Sequence, residues 1–64
     1  MEVWVVTRYI QYNCENIQYR EFIGVAATES AADQVIVDSK EEHKNDERSA
    51  DYVEYNKELT LVQE

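Results

Sequence analysis

Between Val3 and Tyr12 the chain reads Val-Trp-Val-Val-Thr-Arg-Tyr-Ile-Gln-Tyr, and eight of these ten residues are β-branched or aromatic. Such side chains lose rotamer freedom in a helix and pack well on a pleated surface, so the segment is expected to be a strand. That strand constrains everything after it, because a strand needs partners for its backbone and a layer to cover its apolar face.

The partners are legible downstream. Asn13-Cys14-Glu15-Asn16 suits a turn, since Asn tolerates left-handed backbone. A second strand is expected from Ile17 to about Ala27, closing an antiparallel hairpin. Strict alternation puts Ile17, Tyr19, Ile23 and Val25 on one of its faces, interrupted by Glu21. Gln18, Arg20, Phe22, Gly24 and Ala26 fall on the other. Gly24 is the only glycine, and inside a strand it signals a bulge or a close backbone approach. Thr28 then offers a helix N-cap, with Glu29 where the dipole favours an anion. Ala31, Ala32, Val35, Ile36 and Ser39 recur at helical spacing, which predicts an amphipathic helix from about Glu29 to His43. The solvated stretch from Lys40 to Asp51 is either a last helical turn or a loop. From Tyr52 to Val62 alternation returns: Val53, Tyr55, Leu59 and Leu61 share a face that Lys57 breaks, with Tyr52, Glu54, Asn56, Glu58 and Thr60 opposite. The expected fold is α+β, ββαβ: one domain over residues 1–64, a three-stranded antiparallel sheet with one amphipathic helix on one face.

Size makes this core marginal. A domain of 64 residues buries only about 60% of its unfolded surface and usually needs a staple. With one cysteine there is no internal disulfide, and Cys14 and His43 stand too far apart in sequence to suggest a metal site. Oligomerisation remains, and a homodimer is expected. A single layer also leaves one sheet face open, so that Trp4, Val6, Ile10 or their opposite-face neighbours await a cover.

The chemistry of catalysis finds few candidates. Cys14 with His43 is the only thiol–imidazole combination; the first falls in the expected turn and the second near the end of the expected helix, solvated positions that do not set a base beside a nucleophile. The Asn45-Asp46-Glu47…Asp51 cluster fails the calcium-loop spacing, which also needs a central glycine. A glycine-rich phosphate loop is lacking as well. An enzyme is not expected, nor a cofactor or metal. No run approaches the roughly 18 apolar residues of a membrane span. The N-terminus lacks the basic region and longer apolar stretch of a signal peptide, so a reducing cytoplasm is the expected compartment.

Charge is the strongest functional signal. Fourteen acidic residues against six basic ones leave a net charge of −8. Direct binding to nucleic acid or an anionic membrane is thereby disfavoured, and binding to basic surfaces favoured. Such a charge also serves solubility, being at the upper edge of the range ordinary for small domains. Carboxylates one helical turn apart, such as Glu29 with Asp33 or Asp38 with Glu42, are offset by about 6 Å along a helix axis. Strand positions two apart lie about 6.6 Å from each other, and Glu54 with Glu58 continue one sheet face.

The opening Val3-Trp4-Val5-Val6, with Ile23-Gly24-Val25 leading into Thr28-Glu29-Ser30-Ala31, resembles a family of small uncharacterised phage and bacterial proteins. Ala26 stands where that family usually has an aromatic, and the pattern covers only the first half. In size, acidity and layout the chain also resembles small phage proteins that inhibit host DNA-binding proteins, including those that block the nucleoid protein HU. This resemblance implies a class of activity and assigns no residue. The expected function is an acidic DNA mimic that occupies the DNA-binding surface of a basic host protein, HU-like proteins first. Glu29, Asp33, Asp38, Glu41, Glu42, Asp46, Glu47, Asp51, Glu54 and Glu58 would form the contact. The alternative is an interaction module without mimicry, binding through a sheet edge or an open aromatic face bearing Trp4.

Overall fold

The computed structural model describes residues 1–62. Its elements run β1 (Glu2–Tyr12), β2 (Ile17–Ala26), α1 (Glu29–Glu42), α2 (Lys44–Arg48) and β3 (Tyr52–Leu61). The sheet order is β2-β1-β3 with both pairings antiparallel. The first strand of the chain is therefore the central one, as suits its apolar character. The turn after β1 closes with Asn16 at φ 54, the left-handed conformation expected of Asn. Thr28 caps α1, its side-chain oxygen accepting the Ala31 N–H at 3.1 Å.

Helix α1 covers one face. Val6 and Ala32 are fully buried there, with Ala26 at 8% exposure, and Trp4, Ile23, Val35 and Ile36 pack around them. Small residues facing one another, Ala26 against Ala32, let the helix settle close to the sheet. Ala31, expected in the apolar stripe, is instead exposed. Ser39 takes a buried place at the far end of that stripe.

Strict alternation fails in β2. The pairing steps from Val6↔Gly24 to Thr7↔Phe22, leaving Ile23 as the extra residue of a bulge. The insertion shifts the phase of the strand, because side chains alternate with a period of two. Gly24 and Ala26 consequently lie on the helix side, in rows with Val6 and Trp4, while Val25 lies with Val5 on the uncovered side. The sequence had grouped Gly24 and Ala26 with Arg20 and Phe22; the bulge beside Gly24 separates them.

A second departure lies in the connection to β3. The segment after His43 forms a further short helix, α2, so the order is ββααβ. His43 breaks the helical run: its Nδ1 lies 3.0 Å from the Ser39 carbonyl oxygen, and its backbone N–H donates to that oxygen at 2.9 Å. Docking of α2 depends on Arg8. This side chain, 4% exposed, lies on the helix side of the central strand. Its guanidinium pairs with Glu21 across β2 and with Glu47 of α2 at 3.1 Å. Tyr55 of β3, which neighbours Arg8 on the other side, donates its hydroxyl to the same Glu47 at 2.5 Å. Its oxygen also lies 3.1 Å from Ser39 Oγ. Three strands and two helices thus converge on one buried cation. Burial opposes the Arg8 charge, but the hydrogen bond with Glu47 and the neighbouring carboxylates prevail and raise its pKa. Burial, reinforced by Glu47, also pushes the Tyr55 hydroxyl above its ordinary value of 10.0.

A Cβ at Gly24 would meet Val35 Cγ1 at 3.5 Å, an ordinary contact, and the backbone there has no positive φ. Gly24→Ala is therefore expected to stabilise the fold by about 0.4–1 kcal/mol through the unfolded chain, read as a higher urea midpoint at unchanged slope. Glu47→Ala should cost about 2–4 kcal/mol, since it strips a buried cation of one partner. The raised Tyr55 pKa contributes stability that is complete below pH 10 and lost as pH rises through the folded-state value. Thermal melts between pH 8 and 12 should accordingly fall less steeply in Tyr55→Phe than in the native chain (about two pH units either side of the ordinary tyrosine pKa).

Candidate functional site

The ten carboxylates singled out in the sequence are divided by the fold. Glu29 and Asp33 on the first turns of α1 both reach Lys57 of β3, at 3.8 and 2.5 Å. Lys57 also lies over the Trp4 ring, 6.0 Å from its centroid. The hydrogen bond that Lys57 donates to Asp33 is the main reason the Lys57 pKa is raised. This trio fastens the start of the helix to β3. Glu41 pairs with Lys44 at 3.2 Å, one turn on. Glu47 is turned inward, with a side chain 14% exposed, and is committed to Arg8 and Tyr55. Asp51 accepts the Asn13 N–H at 2.6 Å and ties the first turn to the start of β3. Glu54 and Glu58 lie on the uncovered sheet face, in rows with Tyr9 and Val5. They point away from the helices, so one flat partner surface cannot meet all ten.

Asp38 and Glu42 are brought together with something the sequence did not announce. They border an open groove of about 410 Å³ between β2 and α1, with Glu21 on the opposite wall. Phe22, Ile23 and Val35 line it as apolar surface, and Ser39 and His43 complete it. Asp38 accepts a hydrogen bond from Gln34, one turn back on α1, at 2.9 Å. Three carboxylates around an apolar floor suit a Lys or Arg side chain, whose aliphatic stem packs while its charged head is paired. Only Glu21 among them also serves Arg8. The groove was hidden from the sequence because the β2 bulge, which swings Ile23 toward the helix, breaks the alternation from which faces are read.

The remaining chemical candidates are dispersed. Cys14 is exposed in the β1–β2 turn, and His43 is engaged by Ser39 at the end of α1. Among the described residues no group of three or more His, Cys, Asp or Glu side chains is gathered to hold a metal ion. None of the described helices is long and apolar enough to cross a membrane.

Of the two faces the sequence left open, the uncovered one belongs to the opposite-face neighbours and does not bear Trp4. Trp4 is on the helix side against the core, and so are Val6 and Ile10, both fully buried. The aromatic character of the open face comes from Tyr9, Phe22 and Tyr52 instead. Tyr9 and Tyr52 meet edge to face at 6.0 Å between centroids. Arg20 lies over the Tyr9 ring at 5.7 Å, and the Tyr9 hydroxyl donates to Gln18 at 2.8 Å. Phe22 is 65% exposed, Val25 51% and Tyr52 49%. Comparison with family models, curated proteins and solved structures finds no match for this chain.

Proposed function

We propose that this protein acts by binding, as an acidic decoy that occupies a basic, nucleic-acid-binding surface of another protein. The observation that carries the reading is the groove walled by Glu21, Asp38 and Glu42, whose apolar floor and acidic rim match the side chains with which proteins grip phosphates. A DNA-binding protein of the HU-like nucleoid class is the first candidate partner, on the resemblance in size, acidity and layout. Arg8, Lys44 and Lys57 are each held by carboxylates of this chain, so half of its basic side chains are partly neutralised where they stand. The contact is narrower than the ten carboxylates of the sequence. It centres on Asp38 and Glu42 at the groove rim, with Glu41 and Asp46 beyond. Glu47 serves the fold, and Glu54 and Glu58 belong to the other face.

Association would be steered by charge and would weaken steeply as salt rises. The test is capture of basic proteins from bacterial lysate, with stepped salt elution and a duplex-DNA competitor. The native chain is compared with the triple variant Asp38→Asn, Glu41→Gln, Glu42→Gln. The native chain should retain a DNA-binding protein that salt and duplex DNA each displace. The variant should lose it, with affinity down about tenfold or more. Its melting temperature should hold or rise slightly, because like charges four apart on a helix cost a few tenths of a kcal/mol. Undiminished capture by a folded variant would sink the decoy reading.

A further inference from the structure

We propose that the uncovered sheet face is the meeting surface of two copies of this chain, related by a two-fold axis running along β1. This goes beyond the decoy reading and uses the opposite side of the sheet, with Phe22 at the β2 edge common to both. The cross-strand register sets out the face in rows. From β2 through β1 to β3 these read Gln18–Gln11–Tyr52, Arg20–Tyr9–Glu54, Phe22–Thr7–Asn56 and Val25–Val5–Glu58. The β3 flank is thus acidic, the β2 flank carries the single cation Arg20, and the middle is Val5, Thr7 and Tyr9.

An isologous contact must be complementary to itself under its own two-fold operation. Turning a second copy about an axis parallel to the strands lays its β2 over the β3 of the first, and β1 over β1. Each residue stays at its own level along the axis, so Arg20 of either copy comes opposite Glu54 of the other. Two ion pairs form per dimer, flanking a central pair of Tyr9 rings. An axis across the strands would instead stack β3 on β3, setting Glu54 and Glu58 against their counterparts. Like charges so apposed are unfavourable, so the charge pattern selects the first arrangement.

Size and composition agree with this cover. Three strands about 4.8 Å apart and some eleven residues long make the uncovered face roughly 500 Å², about 1,000 Å² for both partners, which is what a specific interface needs at least. Phe22, Tyr52 and Val25 are each about half exposed or more, and aromatic residues with Arg are the types that anchor such contacts. The twist of each sheet would set the two strand directions at about 30°, with the layers roughly 10 Å apart.

Charge reversal provides the experiment. Sedimentation equilibrium is run on the native chain, on Arg20→Glu, on Glu54→Arg, on an equimolar mixture of the two, and on the doubly substituted chain. Circular dichroism checks that each is folded, and both sites are exposed. The native chain should be a dimer. Each single variant should dissociate about tenfold or more readily, because both of its ion pairs become repulsions. The mixture should form a heterodimer and the double variant should regain self-association, since each restores opposite charges across the axis. A native chain that stays monomeric up to millimolar concentration would overturn the proposal. So would dimers indifferent to the single reversals, as edge-to-edge strand pairing predicts, or a mixture that fails to recover. Loss of lysate capture in the helix-flank variant leaves these results untouched, so the two readings fail separately.

Discussion

Arg8 is the constraint around which the rest is organised. A guanidinium fixed on the inner side of the central strand could not persist without anionic partners from several directions. Glu21 supplies one from the neighbouring strand, and Glu47 another from above. Glu47 can do so only because the chain breaks at His43 and starts a second short helix. The Tyr55 hydroxyl then ties β3 to the same carboxylate. A core of Val6, Ala26 and Ala32 is too small to specify this arrangement unaided. The ionic knot contributes direction as much as energy: it fixes where α2 sits and which side of β3 faces inward.

The elements with strong local signals were legible in the sequence. The β-branched run of β1, the Asn-rich turn, the Thr28 cap and the alternation of β3 each report a preference that the tertiary structure keeps. Faces were legible only where the period held. One extra residue at Ile23 reversed the sides of Gly24, Val25 and Ala26, and no local propensity announces which strand position will bulge. Arg8 was silent for a related reason. One charge in an apolar run reads as an edge or an exception until the carboxylates that surround it, 13 and 39 residues away, are brought near. Of the carboxylates, position in sequence revealed the helical spacing of Asp38 and Glu42. It did not reveal that Glu47 is internal or that Glu54 lies on the far side. Inward use of a charge depends on its partner, and partners here come from other elements.

The two sides of the sheet consequently have different characters. The helix side spends several of its carboxylates on holding the fold, and keeps Asp38 and Glu42 for its rim. The other side mixes aromatic and aliphatic side chains with one cation and two carboxylates, without a layer over them. The acidic rim and the uncovered apolar face thus lie on opposite sides of the sheet and share only Phe22 at the β2 edge, so the proposed decoy contact and the proposed dimer contact would use largely separate surfaces.

The strand order β2-β1-β3 also bears on how the chain comes to be folded. Pairing of β1 with β2 needs only a short turn and forms locally, whereas pairing of β1 with β3 joins Glu2 to Leu61 across nearly the whole length. Non-local closure is slow, because loop entropy is lost before the contacts form. During synthesis the central strand therefore emerges first and completes its pairing last. Until then one side of β1 is an open edge, rich in Val and aromatic residues and primed to pair with another nascent chain. The acidic stretch between Asp38 and Asp51 emerges just before β3, and would keep neighbouring chains apart during that wait.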